Sequence, residues 1–250
     1  EAAWGEGMIH YHGTPMTGSD WPQLQLARRH AMVSFAAPQQ IETIAEICQS
    51  FVLDNGAFSA WTRGEPLDIE GFREWAGIWS KHPGCDWYLI PDVIDGNEAD
   101  NDALLDGWDG MGVPVWHLHE SLTRLDRLCD DYPRIAFGSS AQYATVGNGL
   151  WWGRMAEAME VACDTDGMPR TKFHGLRMLD PTIFSHLPFS SADSTNVARN
   201  IGIDSAWRGT YTPASKSARA AILMERIEMH GSARRWCATN GIQQNMELIG

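Results

Sequence analysis

The chain has 250 residues, of which 44% are hydrophobic and 20% charged, a composition typical of a soluble globular protein long enough for one large domain. No apolar run approaches the length that spans a bilayer, and the five cysteines form no CxxC pair, so the sequence predicts no membrane protein, structural zinc site or disulfide framework. The formal net charge of −13 argues against a surface covered in basic patches, although the segment from residue 197 to 250 is locally basic.

The first seven residues are small and acidic and precede a methionine. We expect residues 1–7 to be a leader that is either foreign to the natural chain or disordered, and residues 8–250 to form the folded domain. No apolar segment follows this leader, so it does not resemble a secretory signal. Together with the scattered cysteines, this predicts a cytoplasmic protein.

Short apolar runs alternate with helical patterns along the whole chain. Eight runs predict strands, at residues 8–12, 31–35, 50–54, 87–92, 113–119, 134–138, 172–178 and 189–192. Apolar residues at helical spacing predict helices at about 20–27, 38–48, 68–81, 98–108, 121–129, 151–163, 181–186 and 215–229. Each strand is apolar throughout its middle, which is typical of a parallel sheet covered by helices. The α/β pattern predicts a single-domain (β/α)8 TIM barrel with an extra C-terminal helical segment, and a doubly wound open sheet is the alternative.

Polar residues end these apolar strands. In a parallel barrel the carboxyl ends of all strands face one mouth, so we expect these residues to surround it. In chain order they are His10, His12, Asp54, Asp92, His117, His119, Gly138, Ser139, Ser140, His174 and Asp193. Aspartates are uncommon in strands and costly to bury unpaired, so three of them at strand ends indicate a site rather than three separate helix caps.

One chemistry compatible with this set is metal-dependent hydrolysis. A His-x-His pair on the first strand, later histidines and a final aspartate resemble the arrangement in amidohydrolases. Residues i and i+2 share a face of a strand, and imidazole suits zinc. The ligands would be His10, His12, His117, His174 and Asp193. No lysine ends the fourth strand, however, and Asp54 and Asp92 have no role in this scheme.

The other chemistry is glycosyl transfer through a covalent intermediate, which needs a carboxylate nucleophile, a group for proton transfer and a pocket shaped for a base. Four segments bear on it: Leu53-Asp54-Asn55-Gly56-Ala57-Phe58, Pro91-Asp92, Phe137-Gly138-Ser139 and Asp193-Ser194-Thr195-Asn196-Val197-Ala198-Arg199. In their order on successive strands, they resemble the motifs of the tRNA-guanine transglycosylases and of their relatives that insert 7-deazaguanines into DNA.

The resemblance implies a role for each segment. Asp193 would be the nucleophile, and Asp54 would be the acid/base that deprotonates the incoming base. The residues expected to bind the purine are Asp92, Gly138, Ser139, His117, His119 and Phe58. No redox cofactor is implied, and no metal is required.

Some features depart from the tRNA enzymes of this family. The chain is much shorter, it lacks their C-x-C-x-x-C zinc motif, and His117-Leu118-His119 stands where they commonly have glutamine. These departures favour DNA over tRNA as the substrate and point to the compact DNA-guanine transglycosylases of phages and genomic islands. The incoming base would be a 7-deazaguanine, such as 7-cyano-7-deazaguanine or a derivative. The sequence leaves a homodimer open, and a catalytically silent nucleic-acid-binding barrel is a third interpretation.

Further side chains extend the expected site. Three basic residues that follow Asp193 are expected to hold phosphates, with a solvated surface as the alternative: Arg199, Arg208 and Lys216. Three tryptophans either stack on a base or pack in the core: Trp61, Trp151 and Trp152. His174 and Arg177 are expected to line the mouth, unless His174 is a barrel histidine satisfied by its neighbours.

Overall fold

The structure, a computed structural model, describes residues 7–202, 207 and 209–238. The phosphate contact expected of Arg208 therefore lies outside the described residues. The same holds for residues 1–6 of the expected leader and for residues 239–250.

The described ranges form one parallel sheet of nine strands. They are β1 (Ile9–Gly13), β2 (His30–Ser34), β3 (Ser50–Asp54), β4 (Cys85–Leu89), β5 (Gly112–Val113), β6 (Val115–His117), β7 (Arg134–Gly138), β8 (Lys172–Gly175) and β9 (Ser191–Ser194). Their spatial order is β5-β4-β3-β2-β1-β9-β8-β7-β6. The two end strands, β5 and β6, are separated by Pro114 alone. Proline interrupts the strand because it has no N–H to donate to the neighbouring strand. With β5 and β6 counted as one interrupted strand, the sheet is a nearly closed barrel of eight strands, which confirms the predicted fold class.

Helices follow the strands and pack on the outside of the sheet: α1 (Ile41–Ile47), α2 (Ala57–Arg63), α3 (Ile69–Trp79), α4 (Glu98–Ala103), α5 (Leu122–Asp131), α6 (Gly149–Ala162), α7 (Pro181–Phe184), α8 (Asn196–Asn200) and α9 (Lys216–Glu228). Several begin where the sequence predicts because a side chain caps them. Asp68, Ser121 and Ser215 each accept a backbone N–H from the first turn of α3, α5 and α9. No helix in the described part of the chain is both long and apolar enough to cross a bilayer.

The first predicted helix is wrong. Residues 20–27 contain only a 3-10 helix, Pro22–Leu26, and Leu24, expected on its apolar side, is 49% exposed. Asp20 does not cap this segment. Its carboxylate accepts a hydrogen bond from the Ser217 N–H at 2.8 Å and thereby ties the loop to α9.

The bounds of six strands also differ from prediction, those of the first, second and fourth by one to three residues at each end. The fifth predicted strand stops at His117, so that Leu118 and His119 lie in a turn, and the seventh stops at Gly175. The eighth, predicted at 189–192, is β9 at Ser191–Ser194. Asp193 therefore lies inside a strand and not at the turn after it. This matters for the site, because successive side chains of a strand face opposite sides of the sheet.

Two apolar clusters show which side is which. A small cluster fills the barrel interior and contains Tyr11, Met32, Val52, Trp87, Leu89, Val113, Val115 and Ala136. A larger cluster lies between the sheet and the helices, and it includes neighbours of these residues in the strands, such as Phe51 and Leu53. A side chain that lies two or four residues along a strand from a member of the interior cluster therefore also faces the inside of the barrel. At the carboxyl end of the strand such a side chain faces the mouth.

Candidate active site

Three carboxylates converge on the carboxyl end of the barrel. Asp54 is the last residue of β3 and lies two residues after Val52 of the interior cluster, so its side chain faces inward. Asp193 pairs in register with Tyr11, which also belongs to that cluster. Asp92 follows the end of β4 and is buried. The strand-end aspartates that the sequence singled out therefore share one mouth.

Asp54 is the carboxylate suited to exchange protons. Burial raises its pKa to about 6, the Ser34 hydroxyl and the Gly56 N–H oppose this shift, and the negative charges of Asp193 and Asp92 add to it. The two charges act on Asp54 because all three carboxylates lie close together in a region poor in water. A group with a pKa near 6 can both hold and release a proton near neutral pH, as a general acid/base must.

Asp193 is held by one of its two oxygens. Its Oδ1 accepts a hydrogen bond from the Arg177 N–H at 2.9 Å and lies 3.3 Å from His174 Nε2. Arg177 has a φ of 61°, a left-handed conformation that costs a non-glycine residue of order 1 kcal/mol, and this conformation accompanies the amide contact. Within the described residues, no protein donor reaches Asp193 Oδ2. The carboxylate is thus oriented through Oδ1, and its other oxygen has no donor among the described residues.

Asp92 has protein partners on both oxygens. Its Oδ1 accepts from Asn55 Nδ2 at 2.8 Å, and its Oδ2 lies 2.8 Å from His117 Nε2. The glycine at 138 makes room for that imidazole, since a Cβ there would lie 2.7 Å from His117 Nδ1. Each carboxylate oxygen has a second lone pair, so Asp92 can still accept from a ligand. The roles of Asp92, His117 and Gly138 in binding a purine stay predictions.

A buried glutamate holds this part of the mouth in place. Glu120 accepts from the His117 N–H at 2.8 Å, from Asn101 Nδ2 at 2.8 Å and from Arg124 Nη1 at 2.7 Å. Sequence reasoning missed Glu120, Asn101 and Arg124. The one available signal was a carboxylate three residues after His117, and polar residues that meet only through the fold give no spacing pattern.

Other residues expected to bind the base have side-chain partners outside the carboxylate cluster. His119 Nε2 lies 3.0 Å from the Gly96 carbonyl, which can only accept, so this nitrogen carries the proton. His119 Nδ1 lies 2.8 Å from the Ser140 hydroxyl. The Ser139 hydroxyl accepts from Trp151 Nε1 at 2.9 Å. The roles of His119 and Ser139 in base binding therefore stay predictions.

Phe58 and Arg177 meet across the mouth. The Arg177 guanidinium carbon lies 4.1 Å from the centre of the Phe58 ring. Phe58 follows β3 and Arg177 follows β8, and these strands are four neighbours apart in either direction around the barrel. Phe58 is 39% exposed, and its ring also lies beside that of the exposed Trp61 on α2. This contact lies over the mouth and supplies a flat aromatic and cationic surface there.

The basic residues expected to hold phosphates divide between two environments. Arg199 is exposed on α8. Burial lowers the pKa of Arg177, and the positive charge of Arg199 lowers it further, so Arg199 lies near the mouth. Lys216 begins α9, and its ammonium donates to the Thr17 carbonyl at 3.3 Å, which gives it a structural partner. A phosphate contact stays a prediction for both.

The histidines of β1 face away from the mouth. Tyr11 occupies the barrel interior, so His10 and His12 on either side of it face the helices. His10 Nε2 lies 2.9 Å from the His230 carbonyl, and His12 Nε2 lies 2.9 Å from Glu228 Oε1. The other expected zinc ligands, on β6, β8 and β9, face the interior. The sheet separates the five side chains, and no cluster of three or more potential metal ligands occurs among the described residues.

The remaining candidates are the three tryptophans, which differ in their burial, and the cysteines. Trp151 and Trp152 are buried in the core on α6, whereas Trp61 is 48% exposed near the mouth. All five cysteines are free thiols, which agrees with the absence of a predicted disulfide framework.

Comparisons of the chain with protein-family models, with curated proteins and with solved structures give no match. The function must therefore be inferred from the mouth itself.

Proposed function

We propose that the protein exchanges guanine in DNA for a 7-deazaguanine base through a covalent glycosyl-enzyme intermediate on Asp193. One observation supports this most: an oriented carboxylate with one oxygen unoccupied by donors from the described residues, Asp193, interacts with a second carboxylate whose pKa is raised to about 6, Asp54. A nucleophile and an acid/base in one mouth are the two groups that base exchange needs.

The first half of the reaction forms the intermediate. Asp193 Oδ2 attacks the anomeric carbon of the target nucleotide, and the bond from that carbon to guanine N9 breaks. The electron pair of the broken bond stays with guanine, which takes a proton from Asp54. The product is an ester between Asp193 and the sugar, and Asp54 is left ionised.

The second half reverses these steps with a different base. The incoming 7-deazaguanine gives its ring N–H proton to the Asp54 carboxylate, and the nitrogen attacks the anomeric carbon. The ester bond breaks and its electron pair returns to Asp193. Asp54 is again protonated, so the cycle is balanced and needs no redox cofactor. A pKa near 6 serves both halves, because either protonation state is accessible near neutral pH.

Asp92 is the group proposed to read the base. Its carboxylate is aimed by Asn55 and His117 and can accept from the N–H groups on the Watson–Crick edge of guanine or a 7-deazaguanine. Arg177 and Phe58 offer a surface on which the base or its neighbours stack. A guanine in a duplex must leave the stack to enter the mouth, at a cost of a few kcal/mol.

The preference for DNA over tRNA rests on two departures from the tRNA enzymes, the missing C-x-C-x-x-C motif and the stretch His117-Leu118-His119 in place of glutamine. The substrate places the proposed reaction in the cytoplasm, where the DNA of a bacterium or its phage lies. The scheme does not require the homodimer that the sequence leaves open, because the described residues of one chain supply both carboxylates.

Incorporation of labelled 7-cyano-7-deazaguanine into DNA and tRNA, measured side by side, tests the proposal. We expect label in DNA, little in tRNA, and no loss with a chelator. The matched control is Asp166→Asn, which removes one exposed carboxylate from the loop that leads into the start of β8, at the end of the barrel opposite the mouth, and should keep wild-type activity. A folded protein that binds DNA but incorporates no label would overturn the proposal in favour of a silent binding barrel.

A further inference from the structure

Four polar side chains form a continuous line through the barrel interior to the candidate nucleophile. Arg134, the first residue of β7, donates from Nη1 to Ser191 Oγ at 3.1 Å. Ser191 Oγ lies 2.9 Å from His174 Nδ1, and His174 Nε2 lies 3.3 Å from Asp193 Oδ1. Ser191, His174 and Asp193 are buried, so water does not compete for these contacts.

The direction of each hydrogen bond follows from its donor. A guanidinium only donates, so Ser191 Oγ accepts from Arg134, and an ionised carboxylate only accepts, so His174 Nε2 donates to Asp193; in a neutral ring Nδ1 then accepts the Ser191 proton. Nδ1 is then the acceptor nitrogen of the imidazole, and Nε2 carries the proton that it donates to Asp193. Burial lowers the pKa of His174, whereas Asp193 raises it and Arg134 lowers it further. The ring is thus neutral near pH 7, in a single tautomer.

We propose that His174, held in this tautomer by Ser191 and Arg134, positions Asp193 so that Oδ1 is bound and Oδ2 attacks the sugar. This inference rests on the proposed function. His174 acts through Asp193 and does not touch the substrate, so it is a positioning residue. A neutral donor suits the task, because a full positive charge on the ring would weaken the attacking carboxylate.

The first test compares two substitutions of His174. In His174→Gln, the side-chain amide N–H comes close to the place of Nε2, whereas His174→Leu has no donor. A hydrogen bond to a charged group is worth enough to change a rate about 10- to 100-fold. We expect His174→Leu to slow adduct formation with DNA by that factor and His174→Gln to restore most of it, with KM for DNA within about twofold of wild type.

Two adjacent serines provide a matched control. Ser190 Oγ and Ser191 Oγ both lie 3.1 Å from Arg134 Nη1, but only Ser191 contacts His174. Ser191→Ala should slow adduct formation about three- to tenfold, because Nδ1 loses the donor that holds the ring in place towards Asp193. Ser190→Ala should keep the wild-type rate. Equal rates in the two serine variants, or a wild-type rate in folded His174→Leu, would overturn the inference.

A measurement without substrate separates this inference from the proposed function. Nitrogen NMR of labelled histidine should show His174 with a protonated Nε2 and an unprotonated Nδ1, with the Nδ1 resonance unchanged in Ser190→Ala and shifted in Ser191→Ala by the loss of its hydrogen bond. The opposite tautomer, or no change in Ser191→Ala, refutes the positioning line. If the spectra agree but wild-type protein forms no adduct with DNA, the proposed function fails while the line from Arg134 to Asp193 stands.

Discussion

Two aspartate–histidine pairs lie at the mouth, and the protein uses the same two side chains differently in each. On the β8–β9 side, His174 has a partner for each ring nitrogen, and Asp193 has one oxygen without a donor among the described residues. On the β4–β6 side the pattern is reversed. Asp92 has a partner for each oxygen, and His117 Nδ1 is buried without one in the described part of the chain.

The difference shows how surroundings divide the work between identical residues. In the proposed function, the first pair leaves an oxygen of Asp193 free to form a bond, while the second fixes the direction in which Asp92 accepts hydrogen bonds. Asp54 lies within the electrostatic reach of both, since both neighbouring carboxylates raise its pKa. In the proposed scheme, the mouth therefore contains a nucleophile, a proton carrier and a recognition group made of one residue type.

Removal of the nucleophile is the change expected to have the largest effect on this comparison. Asp193→Asn keeps the shape and a carbonyl acceptor for Arg177 N–H but lacks the ionised oxygen that attacks. We expect adduct formation to fall by about three orders of magnitude or more, with the fold retained. The adduct is detected on denaturing gels after incubation with DNA. An adduct of normal yield in Asp193→Asn would show that the two pairs have been assigned the wrong way round or that another residue attacks.

In the wild type the rates of the two half-reactions should depend on pH in opposite directions, and Asp54→Asn should remove both dependences. In wild type, release of guanine needs protonated Asp54 and falls as pH rises through about 6, whereas capture of the incoming base needs ionised Asp54 and rises over the same range. Asparagine should leave both half-reactions flat with pH and lower base capture about 100-fold or more. Single-turnover rates of guanine release and of base incorporation between pH 5 and 8, taken as an approximate working range for this acid/base, provide the measurement. Parallel pH profiles for the two steps would contradict this role.

Asp92→Asn sharpens the contrast with Asp193, because it should affect binding and not chemistry. The amide keeps one acceptor but brings a donor towards Asn55 or His117 and towards the N–H groups of the base. We expect KM for the 7-deazaguanine to rise about tenfold, with kcat changed much less. Steady-state incorporation at saturating DNA gives both constants. A large fall in kcat with KM unchanged would mean that Asp92 takes part in the chemical step.

The smallest expected effect concerns the rim around the two pairs. Arg199→Gln should reduce the dependence of DNA binding on salt by about one unit of slope, since each phosphate that the protein neutralises releases about one counterion. Lys172→Gln is the matched control, because Lys172 is exposed at the start of β8, at the end of the barrel opposite the mouth. Binding measured across a salt series decides between them. Equal slopes for Arg199→Gln and wild type would place Arg199 on the solvated surface.

Most of the fold was predictable from the sequence for local reasons. Apolar runs of strand length alternate with amphipathic segments, and caps such as Ser121 and Ser215 mark helix starts within the chain itself. The short helix α2 and the replacement of the first helix by a 3-10 turn were not predictable in this way. Both occur where glycine, proline and left-handed backbone compete with helical propensity, as at Gly56 and Trp21.

By itself the sequence determined the strand count and the convergence of Asp54, Asp92 and Asp193 on one mouth, because parallel strands of a barrel all end on the same face. Only the tertiary structure decided which side of the sheet each histidine faces. A strand buried on both sides has no apolar–polar alternation to reveal its phase, and a shift of one residue moves every side chain to the other face. The sequence therefore could not show that His10 and His12 lie among the helices while His174 reaches Asp193 inside the barrel. The contact of Arg177 with Phe58 likewise joins strands on opposite sides of the barrel, a proximity that only closure of the sheet creates.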